Sequence, residues 1–241
     1  MIDLKNNFVF IHIGNSAGTS VEKSFSHGET YHSPFGLEPV GAHYTYWQKE
    51  KWCLENLEKL KNEKVDFESM FKFTIVRNPW DRMVSKYMHE SQNLQVFNEQ
   101  VSKGLKGGPD FKSFLMYLEK FEIGKLKNSM NNEPADLNDY RHISPSLDWF
   151  PPEKMDKIII FDNLHEGFNE VAQKLNLNTK LEDLHPGLFE GTWKKPDRKL
   201  DSFGKPRKHY SCYYDDECVD FVRKRFKKDI DYFNFVFEDK R

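Results

Sequence analysis

Two groups of residues in this chain have the types and spacing to hold an anion. The first is the run Gly14-Asn15-Ser16-Ala17-Gly18-Thr19-Ser20. Its small side chains let backbone N–H groups approach a ligand. Thr19 and Ser20 suit the first turn of a helix, where unpaired N–H groups and the helix dipole favour negative charge. The second group is Arg77 with Ser85, eight residues further on. A guanidinium makes paired, charge-assisted hydrogen bonds to a phosphate. A hydroxyl two turns along the following helix adds a donor to the same anion. Each group also has an ordinary alternative. Gly-rich strand–helix turns are common, Arg77 has Asp81 within reach as a salt-bridge partner, and Ser85 suits a close helix contact.

The elements that must position these residues are legible on either side of them. Residues 8–13 are apolar, and β-branched or aromatic except for His12, the pattern of a strand covered on both faces. Residues 71–76 repeat that pattern, and Arg77 follows at the C-terminal end, where open α/β sheets place ligands. Pro79 suits the first turn of a helix, and Met83, Val84 and Tyr87 continue it as an apolar face. Two strand–turn–helix units side by side can hold the two phosphate ends of one nucleotide. The first turn lacks the Gly-Lys-Ser/Thr that ends a Walker A loop, which counts against an ATPase or GTPase.

Together the two units resemble the nucleotide-binding motifs of the sulfotransferases that use PAPS (3′-phosphoadenosine 5′-phosphosulfate), most closely the carbohydrate-type, family 2 branch. His12 to Ser20 is similar to that family's His-Ile-Pro-Lys-Thr-Ala-Gly-Thr-Ser. Val76 to Tyr87 is similar to its Val-Arg-Asn-Pro-Trp-Asp-Arg-Leu-Val-Ser-x-Tyr. The likeness touches His43 between the motifs, Lys157 to Leu164, and the stretch from Tyr213 to Phe237, and is weak over about 92–150. It implies an α/β, three-layer P-loop-like fold, with a central, mainly parallel sheet flanked by helices. It implies that Gly14, Asn15, Ser16, Ala17, Gly18, Thr19 and Ser20 take the 5′-phosphosulfate. Arg77 and Ser85 would hold the 3′-phosphate, and Lys205 and Arg207 would come from a late loop beside the nucleotide.

The implied activity is transfer of a sulfuryl group from PAPS to a hydroxyl of a carbohydrate or glycolipid, leaving PAP, with no metal. Sulfuryl transfer, like phosphoryl transfer, needs nucleophile and leaving oxygen in line and donors aimed at the leaving charge. A general base takes the hydroxyl proton; His43 matches the family histidine, with His142 and His209 as further candidates. His12, within a strand, reads as structural. One departure stands out: Gly14-Asn15 replaces the family's Pro-Lys, so a neutral amide stands where a cation neutralises the leaving group. Lys23, Lys194, Lys195 and Lys205 are candidate replacements. Two other readings stay open: a catalytically weakened PAPS- or PAP-binding protein, and a P-loop-like nucleotide kinase.

The whole chain is consistent with this reading. Its 241 residues carry no linker, repeat or low-complexity run, and read as one domain over 1–241. With 21 Phe, 10 Tyr and 5 Trp it has material for a large core despite a polar average. A net charge of −2, with acids and bases interspersed, argues against a general nucleic-acid binder. Three cysteines, with no metal-binding spacing, suggest reduced thiols. The sequence shows neither a signal peptide nor an apolar run that would span a bilayer, and a cytoplasmic protein is expected.

Elsewhere the pattern predicts a short helix over 20–26 and a loop over 27–43. A helix follows over 44–62, with Trp47, Cys53, Leu54, Leu57 and Leu60 inward. Further helices are expected over 111–121, 163–175 and 215–226, and a strand over 157–161. The stretches 124–140 and 185–211 read as loops, the latter strongly basic.

Overall fold

The computed structural model describes residues 1–25, 45–56, 66–91, 110–119, 143–181 and 208–241. They divide into two compact units, the first holding the described residues up to Arg77 and 146–181, the second those from Asn78 to Pro145 and from 208 onward.

The first unit contains a four-stranded sheet in the order β1 (Ile2–Asp3), β2 (Phe8–Ile11), β3 (Phe71–Val76), β4 (Lys157–Ile160). The three longer strands are parallel, and β1 pairs antiparallel with β2. Strand β2 is buried throughout, as a strand covered on both faces must be. The apolar run was expected to continue as strand to residue 13; pairing stops at Ile11, where the chain bends into the small-residue loop. Phe8, Phe10, Phe73 and Ile159 form a core with Val21 and Phe25 of helix α1 (Gly18–Phe25). Helix α5 (Leu164–Lys174) adds Phe168 and Val171 to that core. Gly167 lets α5 lie directly on the sheet, since a Cβ there would stand 2.6 Å from Ile159 Cγ2.

Strand β3 carries a lysine in a buried position. Lys72 donates from its ammonium to the carbonyls of Glu68 and Met70, each at 2.9 Å, which satisfies a charge water cannot reach. Helix α2 (Tyr46–Glu55) starts on a capping box: Thr45 and Gln48 each bond the other's backbone N–H. Of the inward residues expected, Cys53 is buried and Trp47 half-buried, but Tyr46 and Lys49 point inward too and Leu54 does not. Leu54 is 60 % exposed, while Lys49 is fully buried. The error came from ranking residues by hydropathy: the i, i+3, i+7 stripe from Tyr46 passes through a lysine, and tertiary pairing supplied what hydropathy did not. Leu57 and Leu60 lie outside the described residues.

The second unit is helical. Helices α3 (Pro79–Ser91), α4 (Phe111–Leu118) and α6 (Asp216–Arg225) enclose Trp80, Met83, Leu115, Val222 and Phe226. Three buried polar groups of this core find backbone partners. Trp80 Nε1 donates to Val219 O at 3.1 Å, Tyr214 Oη to Trp80 O at 2.8 Å, and Arg225 Nη1 to Leu118 O at 2.9 Å. Asp215 caps α6 by accepting from Cys218 N, and basic residues end that helix, the charge order that opposes its dipole. A further short helix, α7 (Lys227–Phe233), follows, stopped by Asn234 at φ 55°. No helix among the described residues is long and apolar enough to cross a membrane.

Candidate functional site

The strand register explains what meets what at the C-terminal edge of the sheet. Ile11 pairs with Thr74 and Val76 with Ile160. Past these pairs β2 runs into the Gly14–Ser20 loop, β3 into Arg77 and β4 into Phe161, and since β3 lies between the other two strands, the loop and Phe161 flank Arg77. The side chain of Arg77 uses both neighbours. Its Nη1 donates to Asn15 O at 3.0 Å, and its guanidinium carbon lies 4.2 Å from the centre of the Phe161 ring. Arg77 is only 7 % exposed, so its charge is weakly screened by solvent. The two sequence segments singled out for anion chemistry therefore touch.

The loop before α1 has an unusual backbone. Asn15 (φ 62°) and Ala17 (φ 61°) are left-handed, with Ser16 between them outside that region. Left-handed residues interspersed in a loop are the backbone from which concave N–H nests for anions are built. A left-handed alanine costs about 1–2 kcal/mol, with no side-chain hydrogen bond to offset it. Strain of this kind concentrates where a ligand needs the geometry. Ser16 is buried, and its Oγ has no hydrogen-bond partner among the described residues. Helix α1 begins at Gly18, two residues before the start expected at Ser20.

Beneath the loop, His12 fills the space beside Gly18 and sets its Nδ1 3.2 Å from Glu22 Oε2. Glu22, on α1, is buried, and so are His12 and Lys49. Burial pushes the Glu22 carboxyl up. Attraction and hydrogen bonding from His12, with help from the Met1 amine and Lys49, outweigh that and bring it down to about 2. Burial in turn holds the Lys49 ammonium below its usual range. The structural reading of His12 thus acquires a partner. Glu22 and Lys49 were not singled out in the sequence, although Glu22, one helical turn after Gly18, is on the face that Gly18 presents to His12.

Gly14, Asn15, Ser16, Ala17, Gly18, Thr19, Ser20 and Arg77 all lie in the first unit, around this corner. Ser85 is half-buried on α3, in the second unit. His43, Lys205 and Arg207 lie outside the described residues, as do His142, Lys194 and Lys195. His209 is described: it caps a short turn at Ser211 and faces Glu238 at 3.5 Å, a structural post in the second unit. Lys23 is in the last turn of α1.

The model of the sulfotransferase family matches residues 1–236. The chain belongs to the sulfotransferase family. The match covers both segments singled out for anion chemistry, the mainly parallel sheet and the terminal aromatic stretch. The α/β, P-loop-like fold expected from the sequence is the fold observed. Membership makes this sulfotransferase a transferase of sulfuryl groups to a hydroxyl-bearing acceptor. No curated protein matches the chain.

Proposed function

We propose that this sulfotransferase moves a sulfuryl group from PAPS to a hydroxyl on a carbohydrate or glycolipid, as one domain, in the cytoplasm, without a metal. The observation that carries the reading is the contact between Arg77 and the Gly14–Ser20 loop, which gathers a nest of N–H groups and a guanidinium at one sheet edge. In this reading the loop N–H groups and Ser16 Oγ hold the 5′ end of the donor. Arg77 and Ser85 hold its 3′-phosphate, and Lys205 and Arg207 close from the late basic stretch. His43 takes the acceptor's proton as the acceptor oxygen bonds to sulfur and the sulfur–phosphate oxygen bond breaks. The electron pair leaves on the phosphate of PAP, where the loop donors offset the new charge.

Calorimetry with PAP, AMP and ATP–Mg tests the donor, followed by an assay of transfer from PAPS to sugar hydroxyls. PAP should bind at least about tenfold more tightly than AMP, the worth of one charged hydrogen-bond set. A preference for ATP–Mg would instead support a kinase. Asn15 favours one second reading, a weakened enzyme that binds PAP tightly and transfers nothing. Recovery of transfer in Asn15→Lys would support it. All three cysteines are free thiols, in keeping with a reducing compartment. Recovery of the protein in a membrane fraction would remove the cytoplasmic assignment, and two separate melting transitions would divide the single domain.

A further inference from the structure

We infer that Arg77 is the cation of the 5′-end loop, supplying through the Asn15–Ser16 peptide the positive charge that residue 15 does not carry. The inference rests on the reading of PAPS as donor and goes beyond the 3′-phosphate role proposed for Arg77. Three observations carry it. Strands β2 and β3 pair in parallel, so the loop after β2 and Arg77 after β3 leave the sheet at the same edge, where the fold delivers the guanidinium to the loop. Arg77 Nη1 bonds Asn15 O at 3.0 Å, while the Phe161 ring, 4.2 Å from the guanidinium carbon, limits how far it can swing. Asn15 is held left-handed at φ 62°, and its side chain is a neutral amide.

The peptide joining Asn15 to Ser16 is trans and planar, so its C=O and N–H point in opposite directions. A guanidinium fixed on the carbonyl therefore fixes the direction of Ser16 N–H. It also polarises that peptide, making the N–H a stronger donor toward an anion in the nest. The charge is buried, so the loop feels it at low screening. A guanidinium has five N–H donors, enough to serve this loop and a 3′-phosphate together. Arg77 is in this sense a positioning residue for the 5′ end.

AMP, which lacks the 3′-phosphate, isolates the 5′ end. Calorimetry of the native chain, Arg77→Gln, Arg77→Lys, Asn15→Lys and Arg77→Gln/Asn15→Lys, with folding followed by circular dichroism, tests the assignment. Arg77→Gln should weaken AMP by about tenfold or more, the cost of one charged contact, and Arg77→Lys by less. Asn15→Lys should recover about tenfold in the Arg77→Gln background but change AMP affinity less than about threefold in the native one, a coupling expected of groups that do one job. If Arg77→Gln weakens PAP but leaves AMP within about twofold, Arg77 serves only the 3′ end and the inference is overturned. It is also overturned if Asn15→Lys strengthens AMP by about tenfold in the native background, a comparison that stands even if Arg77→Gln does not fold. Equal affinity for AMP and PAP in the native chain would defeat the PAPS reading while leaving the loop cation intact. Binding of neither would defeat both.

Discussion

The His12 ring occupies the volume that a side chain on residue 18 would need. A Cβ added to Gly18 would lie 1.9 Å from His12 Cδ2 and 2.1 Å from Nε2. Both residues are buried, so neither can yield into solvent. Gly18→Ala should therefore destabilise the protein by about 1–3 kcal/mol, the usual cost of overpacking, and weaken PAP by displacing the start of α1. Chemical denaturation gives the first quantity and calorimetry the second. Adding His12→Ala should return part of the PAP affinity; native stability in the single variant would show that the ring is not fixed there.

Ala17 holds a left-handed backbone without a glycine's freedom. Replacing it with glycine relieves about 1–2 kcal/mol of strain and gives back about 0.4–1 through the looser unfolded chain. Ala17→Gly should raise stability by about 0.5–1 kcal/mol and keep PAP affinity. A loss of stability in urea denaturation would mean that the loop is not strained as described.

Glu22 gives the fold an acid limit. Its carboxyl titrates at about 2 in the folded chain against an ordinary 4.5, so its contribution is complete above about pH 4.5 and is lost as pH falls toward 2. Taken at about 1.4 kcal/mol per unit, the loss is roughly 3 kcal/mol. His12, Lys49 and the Met1 amine are the titratable groups that face it. Glu22→Gln should be less stable than the native chain at pH 6, and the gap should close between pH 4.5 and 2. Parallel stability curves across that range would refute the pairing.

Phe161 is partly buried, packed against the sheet core on one side and against the Arg77 guanidinium on another. Phe161→Leu keeps much of the volume but removes the ring face. It should lower stability by about 0.5–2 kcal/mol, and PAP affinity should fall because the guanidinium is less firmly held. Unchanged calorimetry with PAP would leave the ring without a role in orienting Arg77.

His43 carries the proposed proton transfer. His43→Ala should reduce turnover from PAPS by about 10²–10⁴-fold while PAP affinity stays near native. Near-native turnover in a folded variant would move the base elsewhere.

Much of the sheet and its flanking helices could be read in advance, because buried parallel strands and amphipathic helices write their periods directly into residue order. The strand Phe71–Val76 and the helix Pro79–Ser91 begin and end where hydropathy and Pro79 say they should. The helix from Tyr46 was also legible, but not its inward face, since a buried lysine contradicts any ranking by hydropathy.

By itself, residue order determined the family, the α/β class and which two segments carry residue types suited to an anion, since all three depend on local type and spacing. Only the tertiary structure decided that Arg77 meets Asn15 on one side and Phe161 on the other, and that His12 rests on Gly18 and Glu22. Those contacts follow from strand register and helix docking. The contacts of Arg77 join residues tens of positions apart, and those of His12, though close in the chain, depend on how α1 docks beside β2; no local pattern encodes either.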